Sequence, residues 1–115
     1  MSGCLAVSRA FADWSLKSAG VSSAPYQQRL RLTAAHKFLV IACDGTFDVL
    51  SHADVVDIAA QHVSVHRDAQ KGVAAAAAAG AAQRAAEAIV AEALRRGTTD
   101  NVSVIVVAFG RDGQD

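Results

Sequence analysis

The chain has 115 residues, 52% of them hydrophobic, and its 11 basic and 11 acidic side chains cancel to a formal charge of zero. This length fits one domain with enough apolar mass for a core, and the charge balance points to no nucleic-acid partner and no membrane-surface partner. Cys4 and Cys43 are too few for a disulfide framework or a zinc site and read as reduced thiols, which points to an intracellular protein, cytoplasmic or nuclear. No apolar run nears the ~20 residues of a bilayer span, and no signal-peptide pattern opens the sequence.

Leu5 to Phe11 begins with a compact apolar run and predicts a strand. Asp13 to Gln28, rich in Ser, Ala and Gly with Pro25 near its end, predicts a loop. Arg29 to Thr33 alternates polar and apolar residues as a half-buried strand does. Lys37 to Cys43 is a continuous apolar run of strand length, expected to be buried on both faces and to form a hairpin with 29–33. Ser51 is placed as a helix N-cap, with Asp54 completing an approximate capping box. Val55, Val56, Ala59, Ala60 and Val63 then recur at helical spacing.

A second helix is expected from about Asp68 to Arg96, with Ala86, Ile89, Val90, Ala93 and Leu94 as its apolar face. Gly72 and Gly80 bracket the alanine tract 74–79 and weaken the helix there. Arg95 and Arg96 suit the helix C-terminus, and Gly97 is placed to cap it. Val102 to Phe109 is a β-branched run expected to be a central strand with both faces covered. The elements together predict an α+β fold with a mainly antiparallel sheet and helices on one face. The second sheet face then lacks a cover within the sequence.

Asp44-Gly45 follows a buried strand directly, where a carboxylate can be held rigidly and still face solvent. Such a residue suits a hard cation, because magnesium and manganese prefer oxygen donors. A tight turn accounts for the same dipeptide, with Gly45 supplying an unusual backbone angle. Asp100 precedes the other apolar strand. If the two strands are antiparallel, Asp44 and Asp100 meet at one sheet edge, where a cation would relieve their repulsion. Asp13 is a third candidate, with a solvated loop acid as its plain reading. Asp48 reads as a favourable charge near a helix start. His36, His52, His62 and His66 show no ligand spacing. Cys43 reads as an inert core thiol, and Arg9 as the partner of an acid.

Three segments carry a family resemblance. Gly3-Cys4-Leu5-Ala6-Val7-Ser8-Arg9-Ala10-Phe11-Ala12-Asp13 resembles the stretch G-x-L-A-V-S-R-A-x-G-D of the metal-dependent serine/threonine protein phosphatases of type 2C, also called PPM-type. Phe38 to Leu50 resembles that family's F-L-I-L-A-C-D-G-x-W-D-V-L, and Gly97 to Val104 resembles G-S-x-D-N-[IV]-[ST]-V. The segments stand in family order and span nearly the whole sequence.

The resemblance implies that residues 1–115 form the C-terminal portion of a PPM-type domain, a partial β-sandwich flanked by helices. It implies that Asp44 and Asp100 are magnesium or manganese ligands, that Asp13 helps to hold a weaker additional ion, and that Asn101 lies beside the centre. The implied reaction is direct hydrolysis of phosphoserine and phosphothreonine in protein substrates, by metal-activated water attacking in line without a phosphoenzyme.

Three departures qualify it. Ala12 replaces a glycine, and Phe47 stands where tryptophan is common. The family's N-terminal half also carries a metal-bridging aspartate before Gly-His-Gly and a phosphate-gripping arginine, neither of which is matched here. The chain alone is therefore expected to be inactive, with no catalytic residue of its own and an incomplete metal site. Self-association through uncovered sheet surface is also expected. The alternative is a non-catalytic, phosphatase-like binding module or a truncated product. A haloacid-dehalogenase-type reading of Ala42-Cys43-Asp44-Gly45-Thr46 fails, because the nucleophile's place holds Ala42.

Overall fold

A computed structural model describes residues 7–63 and 74–109. The chain divides into two compact units, one up to Arg31 and one from Leu32 onward. In the first, a single parallel bridge joins Arg9 and Ser22, through Ala10 N–H to Ser22 O at 3.0 Å and Ser22 N–H to Ser8 O at 3.1 Å. Trp14–Leu16 forms one 3-10 turn, and Val21, whose N–H donates to Leu16 O at 3.2 Å, is buried. The strand expected over 5–11 is reduced to this bridge across its described part. Arg9 donates to the Ala24 carbonyl rather than to an acid.

The second unit contains β1 (Phe38–Ala42), α1 (Asp44–Phe47), α2 (His52–Val63), α3 (Ala74–Arg95) and β2 (Val104–Ala108). The strands pair antiparallel, with Val40 opposite Val106 and Ala42 opposite Val104. Hydrogen bonds from Phe109 N to Lys37 O (2.9 Å) and from Cys43 N to Ser103 O (3.2 Å) extend the ladder at both ends. This is the α+β arrangement and antiparallel pairing expected from the sequence. Residues 29–33 form no strand, and the expected hairpin is absent. Leu30 and Leu32 are 65% and 56% exposed. Alternation states which side chains a strand would bury, but a ladder also needs a neighbour, and this segment has none among the described residues. Accordingly β2 is not a central strand: β1 is its sole described neighbour.

α2 begins with the capping box anticipated at Ser51. Ser51 Oγ accepts from Asp54 N at 3.1 Å, and Asp54 Oδ2 accepts from Ser51 N at 2.9 Å, so two orphan donors of the first turn are satisfied reciprocally. α3 ends as a Schellman turn: Gly97, at φ 81°, donates to Leu94 O, and Thr98 donates to Ala93 O. No helix among the described residues is long and apolar enough to cross a membrane.

The core lies between the helices and one sheet face. Leu50, Val55, Ala59, Ala85, Ile89 and Ala93 are buried together, with Phe38, Val40, Val104 and Val106 packed against them. Ala81, Ala85, Ile89 and Ala93 recur every fourth residue along α3, and the small side chains allow close helix approach. The predicted helix faces are rotated slightly from the real ones. Val56 and Leu94 each lie about 100° round the helix from a buried neighbour and are exposed. The opposite sheet face presents Leu39, Ile41, Ile105 and Val107, which are 41–59% exposed. Two-sided burial of both strands is thus half met. The part of the second helix expected over 68–73 lies outside the described residues.

Candidate functional site

β1 delivers the chain to the site. The ladder continues through Cys43, whose extended backbone (φ −84°, ψ 174°) makes it the N-cap of α1. Its carbonyl accepts from Thr46 N at 3.1 Å, and Asp48 N closes the turn onto Asp44 O at 2.8 Å. Asp44 therefore opens a one-turn helix, exposed at the sheet edge. Its Oδ1 accepts from Gly45 N at 3.1 Å, and its second oxygen has no partner among the described residues.

The segment preceding β2 meets this turn. Gly45 is buried, and a Cβ placed on it would lie 2.3 Å from Asn101 O and 3.2 Å from Asp100 Cβ. The residue after Asp44 is thus packed directly against Asp100 and Asn101. Gly45 is not among the positive-φ glycines, so the turn explanation of Asp-Gly by backbone angle is corrected. Glycine is required here for space. Asp100 is exposed, and its Oδ1 accepts from Asn101 N at 2.7 Å, which fixes one carboxylate oxygen as Gly45 N fixes one on Asp44.

Two side chains bind these segments together. Thr98 Oγ1 donates to Gly45 O at 2.8 Å and accepts from Asp100 N at 3.4 Å. Cys43 Sγ donates to Asn101 O at 3.1 Å and accepts from Ser103 N at 3.2 Å. Cys43 is half-buried, a hydrogen-bonded linker rather than the inert core thiol expected from its apolar neighbours. Sequence reasoning passed over both roles. The one available signal was the hydroxyl residue that the resembling stretch carries at the Thr98 position.

Asp13 belongs to the first unit. It is half-buried, in the left-handed conformation (φ 57°, ψ 47°), and makes no side-chain cap bond to the turn it precedes. Aspartate tolerates this region better than most residues. Asp48 caps the C-terminal end of α1 rather than the start of a helix. His36 pairs locally with Thr33, and His52 packs on Phe47 with ring centroids 4.9 Å apart. Among the described residues, no three His, Cys, Asp or Glu side chains gather into a group that could hold a metal ion.

The end of α3 is anchored beside the site. Arg96 pairs with Asp54 at 3.2 Å and with Glu92 at 2.9 Å, and Arg95 pairs with Glu92 at 2.6 Å. Hydrogen bonds from Ser51, then the bond from Arg96, lower the Asp54 pKa from 3.8 to about 2. Hydrogen bonds from Arg95 and Arg96 lower that of Glu92 from 4.5 to about 2.

Two exposed carboxylates, Asp44 and Asp100, each with one oxygen on a backbone N–H, thus stand at one end of a two-stranded sheet with helices on its inner face. Residues 1–102 match the protein phosphatase 2C family, and the chain belongs to that family. It is 34% identical to "Probable protein phosphatase 2C 27" of Arabidopsis thaliana, over 97% of this chain and 27% of that protein. It is 37% identical to "Protein phosphatase 1F" of Homo sapiens, over the whole of this chain and 22% of that protein. It superposes on the crystal structure of serine-threonine phosphatase 2C from Toxoplasma gondii with a TM-score of 0.61 and 31% identity, over 90% of this chain and 29% of that one. The chain therefore spans less than a third of the relatives it matches.

Proposed function

We propose that this chain is the C-terminal portion of a metal-dependent phosphatase domain that removes phosphate from phosphoserine and phosphothreonine in proteins. In this reading Asp44 and Asp100 hold magnesium or manganese, and Asp13 assists a peripheral ion. The observation that carries it is the packing of Gly45 against Asp100 and Asn101, which brings the two acids to one edge. Their donor chemistry fits a hard cation, since each carboxylate keeps one oxygen on a backbone N–H and has the other available. Their number does not complete a site, because magnesium takes about six oxygen ligands in octahedral geometry.

When bound, divalent cations would activate water and neutralise the phosphoryl oxygens. The chain's own contribution is positional. Asp44 and Asp100 present fixed oxygens and Asn101 stands beside them, while the core behind α1 and β2 keeps the pair from relaxing apart.

The test uses the purified chain. Manganese should selectively broaden the NMR signals of Asp44 and Asp100, and hydrolysis of a phosphothreonine peptide should be negligible. Absence of selective broadening would overturn the ligand assignment. Robust manganese-dependent turnover, abolished by Asp44→Ala, would show that the site is complete in this chain.

A further inference from the structure

Thr98 occupies an unusual junction. Its backbone is set by the end of α3, because Gly97 turns left-handed and Thr98 N–H closes the helix onto Ala93 O at 3.3 Å. With the backbone so fixed, the half-buried side chain reaches Gly45 across a separation of 53 residues. The same hydroxyl receives Asp100 N–H, and Asp100 in turn receives Asn101 N–H. A single oxygen thus links the turn that carries Asp44 to the backbone of Asp100.

We propose that Thr98 is a positioning residue for the metal site: its hydroxyl sets the placement of the Asp100 carboxylate relative to Asp44 and so governs divalent-cation affinity. This rests on the ligand reading of Asp44 and Asp100 given above. Among the described residues the hydroxyl bonds Gly45 O and Asp100 N and no carboxylate oxygen, so it acts through the backbone on both sides. Gly45 O needs a donor and Asp100 N needs an acceptor, so a residue of the same shape without an oxygen satisfies neither. Serine satisfies both. Cys43 braces the far side of the loop through Asn101 O and Ser103 N. Loss of the Thr98 hydroxyl should therefore loosen Asp100 without detaching the segment.

The experiment compares Thr98→Val and Thr98→Ser with the unsubstituted chain by NMR. Without metal, amide exchange at Asp100 and Asn101 should rise about tenfold in Thr98→Val and stay unchanged in Thr98→Ser, while amides of α2 and the middle of α3 keep their protection. In a manganese titration, Thr98→Val should weaken the affinity read from line broadening at Asp44 and Asp100 by about tenfold, as residues that orient metal ligands commonly do. Thr98→Ser should restore it.

Equal manganese affinity in Thr98→Val and the unsubstituted chain overturns the positioning role and leaves the ligand reading intact. No broadening in the unsubstituted chain overturns the ligand reading and the cation role of Thr98 together. Exchange that rises throughout α2 and α3 in Thr98→Val, with affinity weakened in Thr98→Ser too, shows a general structural role and overturns the proposal as well.

Discussion

Gly45→Ala is the sharpest probe of how the site is assembled. The new methyl would sit 2.3 Å from Asn101 O, against the 3.4 Å at which ordinary contact begins, so the loop before β2 must retreat by about 1 Å. Its obstacle is backbone, not the end of a flexible side chain. A retreat of that size stretches the 2.8 Å bond from Thr98 to Gly45 O and the 3.1 Å bond from Cys43 to Asn101 O beyond useful length. Two neutral hydrogen bonds at about 1 kcal/mol each, with about 1–2 kcal/mol for overpacking, give a loss of about 3–4 kcal/mol. With a urea slope of about 1.5 kcal/mol/M, the unfolding midpoint should fall by about 2 M. Gly80→Ala is the control. The nearest atom to its new methyl is Arg84 Nη1 at 3.3 Å, the far end of a flexible side chain, and alanine in a helix interior gains up to about 1 kcal/mol over glycine. Circular dichroism at the helix band reads both. A midpoint in Gly45→Ala within about 0.3 M of the unsubstituted chain would refute the claim that glycine is there for space.

Thr46 is fully buried, and its hydroxyl has no hydrogen-bond partner among the described residues. Thr46→Val keeps the shape and removes an unsatisfied group, so it should stabilise the chain by about 1 kcal/mol and raise the melting temperature by about 4 °C; a fall would mean that the hydroxyl is satisfied. Stability should also decline on acidification. Asp54 and Glu92 are depressed from 3.8 and 4.5 to about 2 in the fold, so the unfolded chain binds their protons first. Their stabilisation is complete above about pH 4.5 and is lost as pH falls toward 2. Both groups are solvent-accessible, so the slope should shrink in Asp54→Asn and at high salt when unfolding is followed across that range; an unchanged slope in Asp54→Asn would count against the Ser51–Asp54–Arg96 linkage.

What the sequence discloses here depends on how local each cause is. The strands were legible because Phe38–Ala42 and Val104–Ala108 are short runs of large apolar residues, whose preference for a pleated surface needs little context. The capping box at Ser51 and the left-handed Gly97 were legible because their partners lie within a turn or two. Residues 29–33 carry the right alternation and form no ladder, since pairing depends on a neighbour that alternation cannot supply. The two acids were recognisable as candidates, and their shared edge follows from antiparallel pairing alone. Thr98 and Cys43 were invisible as links because their bonds to Gly45 and Asn101 cross 53 and 58 residues. At Gly45 the sequence suggests backbone freedom, the commoner reason for glycine, whereas its packing against Asn101 is the operative one.

The same contacts explain why two exposed acids can be held together at all. Each carboxylate gains nothing from its neighbour's charge, and a flexible loop would let them separate. Asp100 cannot retreat freely, because Thr98 ties its backbone to Gly45 while Cys43 ties Asn101 to the end of β1. Thr98 is in turn fixed to the end of α3, whose buried Ala85, Ile89 and Ala93 lie in the core and whose Arg96 reaches α2 through Asp54. Repulsion between exposed charges is worth about 1 kcal/mol at contact distances in water. That is small beside a core of several buried side chains, each contributing about 0.8 kcal/mol per buried methylene. The core therefore wins, and the segments that carry Asp44 and Asp100 stay packed together.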